Sequence, residues 1–255
     1  MTRILAGNWK MNLGLAEARS LLLALRAGRD VAPSVRMVLF PPFTALASIA
    51  SMRESRDPDL GAQNCHAEPK GAFTGEVAAE QALDAGAVCV LVGHSERRRL
   101  FGEDDTLIHG KLRAAWRAGL TPYLCIGEPV AERERRRTRE VLARQIRRAR
   151  EGSPAPAPLV VAYEPVWAIG TGVVASTEEV AEAHDWARQE LSAAGRVDPV
   201  AVLYGGSVDP RTAAPLAGLP GVDGFLVGGA SLGAASFLAI AKVLEDARPA
   251  DRPVH

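Results

Sequence analysis

The 255-residue sequence lacks the features that mark several common classes of protein. Its only cysteines, Cys65, Cys89 and Cys125, are far apart and form no Cys-x-x-Cys pair. Each lies in an apolar stretch, so we expect reduced core thiols rather than disulfides or metal ligands. Because the formal net charge is +0, the overall charge favours neither nucleic acid nor an anionic membrane surface as a partner.

Long apolar runs are also missing. No segment approaches the roughly 20 apolar residues that a membrane-spanning helix needs, and the N-terminus reads as a first strand rather than a signal peptide. The histidines show no metal-ligand spacing such as His-Glu-x-x-His, and no Gly-x-Ser-x-Gly marks a serine nucleophile. We therefore predict a cytoplasmic protein with no metal, cofactor, nucleic-acid or membrane partner.

What the sequence does contain is an alternation of apolar segments with helical patterns. The predicted strands are Arg3–Trp9, Val35–Phe40, Leu60–Asn64, Val88–Val92, Leu120–Ile126, Leu159–Tyr163, Val200–Tyr204 and Gly224–Val227. Continuous apolar runs are typical of parallel strands that are buried on both faces. Eight βα units in about 250 residues favour a closed α/β (β/α)8 barrel, the TIM barrel. An open doubly wound sheet is the alternative, but no Gly-x-Gly-x-x-Gly opens the first βα unit.

We expect one barrel domain over residues 1–255, with a frayed tail from about 248 to 255. The predicted helix N-caps are Thr44, Ser95 and Thr177. Gly119 is expected in the left-handed region after a helix over Asp105–Ala118. The arginine-rich segment Val130–Glu151 is predicted as one long helix. Its arginines alternate with glutamates, which indicates an exposed outer face rather than a nucleic-acid patch.

One stretch, Val160–Ser176, is the strongest candidate for chemistry. A lone carboxylate, Glu164, follows a buried strand, and Pro165 stiffens the start of the segment behind it. That segment contains Trp167, Ile169, Gly170 and Gly172. The pattern indicates a fixed base followed by a flap that excludes water from a reacting centre. An ordinary loop with an incidental glutamate is the alternative.

In a barrel of this kind, functional residues lie at the carboxyl ends of the strands. Those ends carry Asn8, Lys10, Gln63, Asn64, His94, Cys125, Glu128, Glu164, Ser207, Gly228 and Gly229. The helix that starts beside His94 disfavours imidazolium, so we predict a neutral ring that donates a hydrogen bond. Lys10 could stabilise developing negative charge, and backbone N–H groups at the glycines could bind a phosphate. A helix-capping histidine, a surface lysine and tight-turn glycines remain the alternatives.

Eight motifs, in order along the chain, resemble those of the triosephosphate isomerase family over almost the full length. They are AGNWKMN (Ala6–Asn12), GAQN (Gly61–Asn64), GAFTGE (Gly71–Glu76), GHSERR (Gly93–Arg98), CIGE (Cys125–Glu128), AYEPVWAIGTG (Ala162–Gly172), YGGSV (Tyr204–Val208) and LVGGASL (Leu226–Leu232). The resemblance implies an isomerase of D-glyceraldehyde 3-phosphate and dihydroxyacetone phosphate that works through an enediol(ate), a step of glycolysis and gluconeogenesis.

The resemblance also implies roles for particular residues. Glu164 would move the proton, a neutral His94 would polarise the carbonyl, and Lys10, Asn8 and Glu96 would complete the polar cluster. The phosphate would be bound by backbone N–H groups of Gly170, Ser207, Gly228 and Gly229. Pro165, Val166 and Trp167 would begin the flap (Pro165–Ala175), and Ile169 and Leu226 would clamp over Glu164. Their apolar cover is expected to raise the basicity of the Glu164 carboxylate.

A homodimer follows from the same resemblance, with Thr74 of the GAFTGE loop near Asn8 and Lys10 of the partner subunit. Three features depart from the family pattern: Val173 stands where a basic residue is usual, Ala201 stands where an arginine is frequent, and His66-Ala67 is an unusual continuation of GAQN. These departures leave room for an isomerase of a four-carbon ketose phosphate. A catalytically silent sugar-phosphate-binding barrel is a third possibility, but binding alone needs no proton-transfer pair.

Overall fold

A computed structural model describes residues 2–153, 157–169, 174–193 and 201–247. Within these ranges, eight parallel strands follow one another around a closed barrel. The strands are β1 Ile4–Asn8, β2 Arg36–Phe40, β3 Asp59–Ala62, β4 Cys89–Val92, β5 Thr121–Ile126, β6 Val160–Tyr163, β7 Ala201–Tyr204 and β8 Gly224–Val227. The predicted (β/α)8 barrel is confirmed. The predicted frayed tail lies outside the described residues.

Helices connect the strands on the outside of the barrel. The described helices are α1 Leu15–Ala27, α2 Phe43–Ala50, α3 Ala79–Asp84, α4 Ser95–Phe101, α5 Asp105–Ala118, α6 Val130–Glu134, α7 Thr138–Arg150, α8 Thr177–Ala193, α9 Ala213–Ala217 and α10 Ala234–Asp246. Short 3₁₀ turns cover Arg29–Val31 and Gly229–Leu232. None of the helices in the described ranges is long and apolar enough to cross a membrane.

The strands divide the core into two layers because successive side chains point to opposite faces. Along β2, Val38 and Phe40 point into the barrel, whereas Met37 and Leu39 pack under the surrounding helices. The rings of Phe40 and Tyr123 meet edge to face inside the barrel, with 5.3 Å between their centroids. Both faces of each strand are therefore buried, which explains the continuous apolar runs in the sequence.

The strand register brings the carboxyl ends of the strands to one rim. Asn8 at the end of β1 pairs with Phe40 at the end of β2. On the other side of the barrel, Tyr163 at the end of β6 pairs with Tyr204 at the end of β7. Residues that directly follow these strands consequently meet at the same opening of the barrel.

The predicted long helix over Val130–Glu151 is wrong: the structure has two helices, α6 and α7. Arg136, between them, has φ of 57°, in the left-handed region that a helix cannot continue through. Thr138 then begins α7, and its hydroxyl donates a hydrogen bond to the Glu128 carboxylate over 3.2 Å. An exposed charge pattern predicts a helical face, but it carries no signal for this backbone reversal.

The predicted N-caps also change. His94 rather than Ser95 caps α4, and α2 begins at Phe43 after Pro42, so Thr44 lies inside that helix. The Ser176 hydroxyl, not Thr177, accepts from the Glu179 N–H over 3.2 Å. The Glu179 carboxylate accepts from the Ser176 N–H over 2.8 Å, which completes a capping box. The prediction for α5 is confirmed, including Gly119 at φ of 81°.

Candidate active site

A cavity of about 950 Å³ opens at the carboxyl ends of the strands. Most of the residues predicted from the sequence line it: Asn8, Lys10, His94, Glu96, Glu164, Val166, Trp167, Ile169, Ser207, Leu226, Gly228 and Gly229. Concave sites of this size, largely apolar with a few converging polar groups, are typical of small-molecule binding. The barrel thus gathers residues from distant parts of the chain around one cavity.

Two buried side chains face each other in this cavity. Glu164 follows β6 and is 2% exposed, and one of its oxygens, Oε1, lies 3.0 Å from Nε2 of His94. The other oxygen, Oε2, accepts a hydrogen bond from the backbone N–H of Ser95 over 2.8 Å. The carboxylate is therefore held between the histidine and the first turn of α4.

The His94 ring is oriented by the start of α4. Its Nδ1 accepts a hydrogen bond from the Glu96 backbone N–H over 3.3 Å. An accepting Nδ1 carries no proton, so the proton of the neutral ring is on Nε2, which faces the cavity and Glu164. This tautomer is the one that can donate a hydrogen bond to a ligand between the two side chains.

The pKa of Glu164 in this structure is lower than expected from its apolar cover. Burial acts to raise the pKa of Glu164, but the charge and hydrogen bond of His94 and the Ser95 N–H hold that pKa below its usual value. Burial acts to lower the pKa of His94, but Glu164 and Glu96 raise it. With the two side chains in contact, each therefore favours the charged form of the other.

Lys10 has a backbone conformation that is rare for a lysine. Its φ is 52°, in the left-handed region that costs energy for residues with a side chain. The Asn8 side chain accepts from the Lys10 N–H over 3.0 Å, and the Gln63 amide donates to the Lys10 carbonyl over 2.8 Å. The Lys10 ammonium then donates to Glu96 over 2.6 Å. Several contacts thus fix the cation at the cavity.

Glycine leaves space beside two of these groups. A Cβ atom on Gly205 would lie 3.0 Å from Cγ of Glu164, closer than ordinary contact, whereas one on Gly228 would lie 3.4 Å from Cε of Lys10, at ordinary contact distance. Gly228 follows β8, and Gly229 begins the next 3₁₀ turn. Both line the cavity wall together with Ser207. The fourth predicted phosphate residue, Gly170, and the departure at Val173 lie outside the described residues.

The described ends of the flap are anchored to the barrel. The Trp167 indole N–H donates to the buried Glu128 carboxylate over 2.8 Å, and the Arg133 guanidinium lies 5.0 Å from the centre of the Trp167 ring. Burial raises the pKa of Glu128. Arg133 also pairs with Glu179 of α8, whose carboxylate caps the other end of the flap at Ser176.

Some predicted strand-end residues do not line the cavity. Asn64 accepts from the buried Lys111 ammonium over 2.8 Å, Cys125 is buried in the barrel interior, and Glu128 binds Trp167. Alternation along the strands turns neighbouring side chains to different layers, so position at a strand end is not sufficient. Pro165 adjoins the cavity without lining it, and Thr74 lies on the exposed loop after β3.

Four residues at the site are not predicted from the sequence: Ser95, which binds Glu164, and Arg99, Asp209 and Arg211, which line the cavity wall. Ser95 acts through its backbone N–H, which no residue-type pattern can show. No group of three or more His, Cys, Asp or Glu side chains in the described ranges is arranged to hold a metal ion.

The fold and this site define a (β/α)8-barrel enzyme in which a buried carboxylate and a histidine face one cavity. The sequence profile of the triosephosphate isomerase family matches residues 3–244. The chain therefore belongs to the triosephosphate isomerase family.

Individual relatives match over nearly their whole length. The triosephosphate isomerase of Bradyrhizobium diazoefficiens is 45% identical over 241 residues, covering 94% of this chain and 96% of that protein. That of Xanthobacter flavus is 44% identical over 243 residues, covering 94% and 97%. The crystal structure of triosephosphate isomerase from Bartonella henselae superimposes with a TM-score of 0.86 at 36% identity, covering 95% of this chain and 99% of that one.

Proposed function

We propose that this chain interconverts D-glyceraldehyde 3-phosphate and dihydroxyacetone phosphate by moving one proton between neighbouring carbon atoms. The observation that carries the proposal is the buried Glu164 carboxylate, 3.0 Å from His94 Nε2, on the wall of a cavity in a chain of this family. A base and a hydrogen-bond donor on one small cavity are what proton transfer next to a carbonyl needs.

In the first step, the Glu164 carboxylate removes the proton from the carbon next to the carbonyl. The electrons of that C–H bond form a carbon–carbon double bond, and the carbonyl oxygen takes the negative charge of an enediolate. His94 donates its Nε2–H to this oxygen, and the Lys10 ammonium and the Asn8 amide stabilise the charge. The proton of the neighbouring hydroxyl then moves to the enediolate oxygen, relayed by His94, and return of the proton from Glu164 to the former carbonyl carbon gives the product.

Substrate binding would change the pKa of both side chains. A substrate carbon that enters between Glu164 and His94 breaks their direct contact, which is the largest influence that lowers the pKa of Glu164 and raises that of His94. The effect of burial then remains, which raises the carboxylate pKa and keeps the imidazole neutral. The Glu164 carboxylate therefore becomes a stronger base when the substrate is bound beside it.

The phosphate group is assigned to the wall formed by Ser207, Gly228 and Gly229. Glycines allow an anion to approach backbone N–H groups closely, and many barrels of this type bind a phosphate with the loops after strands seven and eight and the start of a short extra helix. Glu96 positions the ammonium of Lys10 through their 2.6 Å contact. A contact from Gly170 remains a prediction.

The proposal is tested by a coupled isomerase assay with D-glyceraldehyde 3-phosphate, with a four-carbon ketose phosphate measured beside it. We expect rapid turnover of the triose and a kcat lower by about 10²- to 10⁴-fold in Glu164→Gln, since loss of a positioned base costs on that order. Preference for the four-carbon sugar would contradict the proposed substrate. Absence of turnover with both would leave a sugar-phosphate-binding barrel.

A homodimer and a cytoplasmic location complete the proposal. Support for the dimer comes from large apolar side chains that are exposed on segments near the rim, among them Met11 at 96%, Phe73 at 43% and Phe101 at 65%. Exposed apolar groups of this size are typical of protein–protein contacts. The location follows from the place of the reaction in glycolysis and from the free thiols of the three cysteines.

A further inference from the structure

Three consecutive arginines on α4 have different surroundings. Arg97 donates to the Glu103 carboxylate over 2.5 Å, and Arg98 donates to the Asp105 carboxylate over 2.7 Å. The next residue, Arg99, is exposed and has no acidic partner among the described residues, yet it lines the candidate active-site cavity. Two of the charges are thus neutralised within the fold, and the third faces the cavity unpaired.

The other charged side chains on the cavity wall have partners. The Lys10 ammonium lies 2.6 Å from Glu96, and Arg211 lies 3.0 Å from Asp209. Glu164 is in contact with His94. Within the described part of the chain, Arg99 is therefore the cation on this wall whose field is not cancelled by a neighbouring carboxylate.

An anionic substrate needs such a charge at the entrance. A sugar phosphate carries up to two negative charges, and it must approach a cavity that already contains the carboxylates of Glu164, Glu96 and Asp209. An unpaired cation on the wall attracts the phosphate over roughly a Debye length and raises the rate of productive encounter. Because the guanidinium is exposed, this attraction is strong at low ionic strength and screened by salt.

We propose that Arg99 is a capture residue for the phosphorylated substrate: its charge speeds encounter with the cavity and takes no part in proton transfer. The inference rests on the proposed isomerase function. Arg99 should therefore affect kcat/KM and not kcat. The value of kcat/KM depends on the encounter of free substrate with the protein, whereas kcat depends only on steps after the substrate has bound.

The test is the ionic-strength dependence of kcat/KM for Arg99→Gln. At about 10 mM salt we expect kcat/KM for D-glyceraldehyde 3-phosphate to fall by about threefold, with kcat unchanged within about 1.5-fold. At about 0.5 M salt, where the Debye length is only a few ångströms, the difference from the unchanged protein should disappear. Arg99→Lys, which keeps the charge, should restore the low-salt rate.

Two controls separate charge from structure. Arg139 is an exposed arginine of α7 that bonds to Gln189 and not to an acid, and it is not part of the cavity wall. Arg139→Gln changes the net charge equally and should leave kcat/KM within about 1.3-fold. D-Glyceraldehyde has no phosphate, so its slower isomerisation should be the same in Arg99→Gln and in the unchanged protein.

Three results would overturn the inference: an unchanged low-salt kcat/KM in Arg99→Gln, a loss that persists at high salt, or an equal loss with D-glyceraldehyde. If the protein without any substitution turns over neither D-glyceraldehyde 3-phosphate nor the four-carbon ketose phosphate, the proposed function itself is refuted. The two failures are therefore distinguishable in one set of measurements.

Discussion

Glu164 and His94 each stabilise the charged form of the other. Their contact lowers the pKa of the carboxylate and raises that of the imidazole, against the effect of burial on both. The neutral ring predicted from the helix N-terminus beside His94 remains a prediction for the state in which the carboxylate has moved away. The sequence places the two side chains at one rim but cannot show that they touch when no substrate lies between them.

Shortening the base tests the importance of its position. Glu164→Asp keeps the carboxylate but withdraws it by about one methylene, and such misplacement lowers catalysis by about 10²-fold. We expect kcat to fall by this factor while KM changes little, because the phosphate wall is untouched. Steady-state kinetics measures both, and a kcat equal to that of the unchanged protein would rule out Glu164 as the base.

His184 on α8 gives the fold a sensitivity to acid. The ring is fully buried, its Nδ1 lies 3.1 Å from the Gly221 carbonyl, and burial lowers the pKa of His184 to about 4. The folded state therefore binds fewer protons than the unfolded state below the usual pKa of 6.5. This contribution to stability is complete above about pH 6.5 and is lost as the pH falls towards 4.

The predicted size of this loss is about 3 kcal/mol. His184→Gln keeps a donor for the Gly221 carbonyl but cannot titrate, so its free energy of unfolding should depend less on pH over this window. Urea unfolding of both proteins at pH 7 and pH 4.5 measures the difference. If the two proteins lose the same stability on acidification, the buried neutral ring is not the cause.

At the scale of elements, the break between α6 and α7 stores backbone strain. Arg136 adopts φ of 57°, where an arginine pays a steric cost that a glycine does not. We expect Arg136→Gly to raise the free energy of unfolding by up to about 1 kcal/mol after the greater entropy of the unfolded glycine chain is subtracted. Urea denaturation checks this value.

The matched control for that substitution is Arg139→Gly, three residues further on and inside α7. Glycine is a poorer helix former than arginine, so in this first turn of α7 it should lower stability by up to about 1 kcal/mol. Opposite signs for the two changes would confirm the strained reversal. Equal losses at both positions would show that residue 136 is not held in the left-handed region.

The sequence predicts strand and helix interiors better than their ends. The strand Gly224–Val227 and the helix Asp105–Ala118 have the predicted bounds, since buried runs and a terminal glycine mark them directly. Caps depend on which of several neighbouring polar groups reaches an N–H, so His94 and Ser176 replaced the predicted Ser95 and Thr177. Which residue caps a helix therefore depends on side-chain geometry, and residue type alone does not determine that geometry.

The candidate site was predictable to a similar degree. Most residues grouped by motif and by strand end line the cavity, because a parallel barrel brings those ends together. The strained φ of Lys10 and the Ser95 N–H that holds Glu164 were not predictable. Both are properties of the backbone in three dimensions, and neither changes the composition or spacing of the sequence.

At the scale of the whole molecule, the proposed dimer is tested at Thr74. An arginine in its place would put a charge into the contact with the partner subunit, and burying an unpaired charge is strongly unfavourable. We expect Thr74→Arg to sediment as a monomer and to lose about 10²-fold in kcat/KM, because the rim near Lys10 and Asn8 is no longer supported. Thr74→Ser serves as the control.

Analytical ultracentrifugation and kinetics on the same samples decide this prediction. A Thr74→Arg protein that remains an active dimer would place the contact between subunits elsewhere. A monomer with full activity would show that the partner subunit does not support the site.

The central claim is that Glu164 carries a proton between two carbon atoms, and isomerisation in deuterium oxide tests it most directly. A proton held by a carboxylic acid exchanges with solvent, so the account predicts deuterium on the carbon that receives it. Nuclear magnetic resonance of the product measures this label, and Glu164→Gln should slow product formation and deuterium incorporation by the same large factor. Rapid turnover with no deuterium at any time in the product would show that the transferred hydrogen does not exchange with solvent, and would contradict the account.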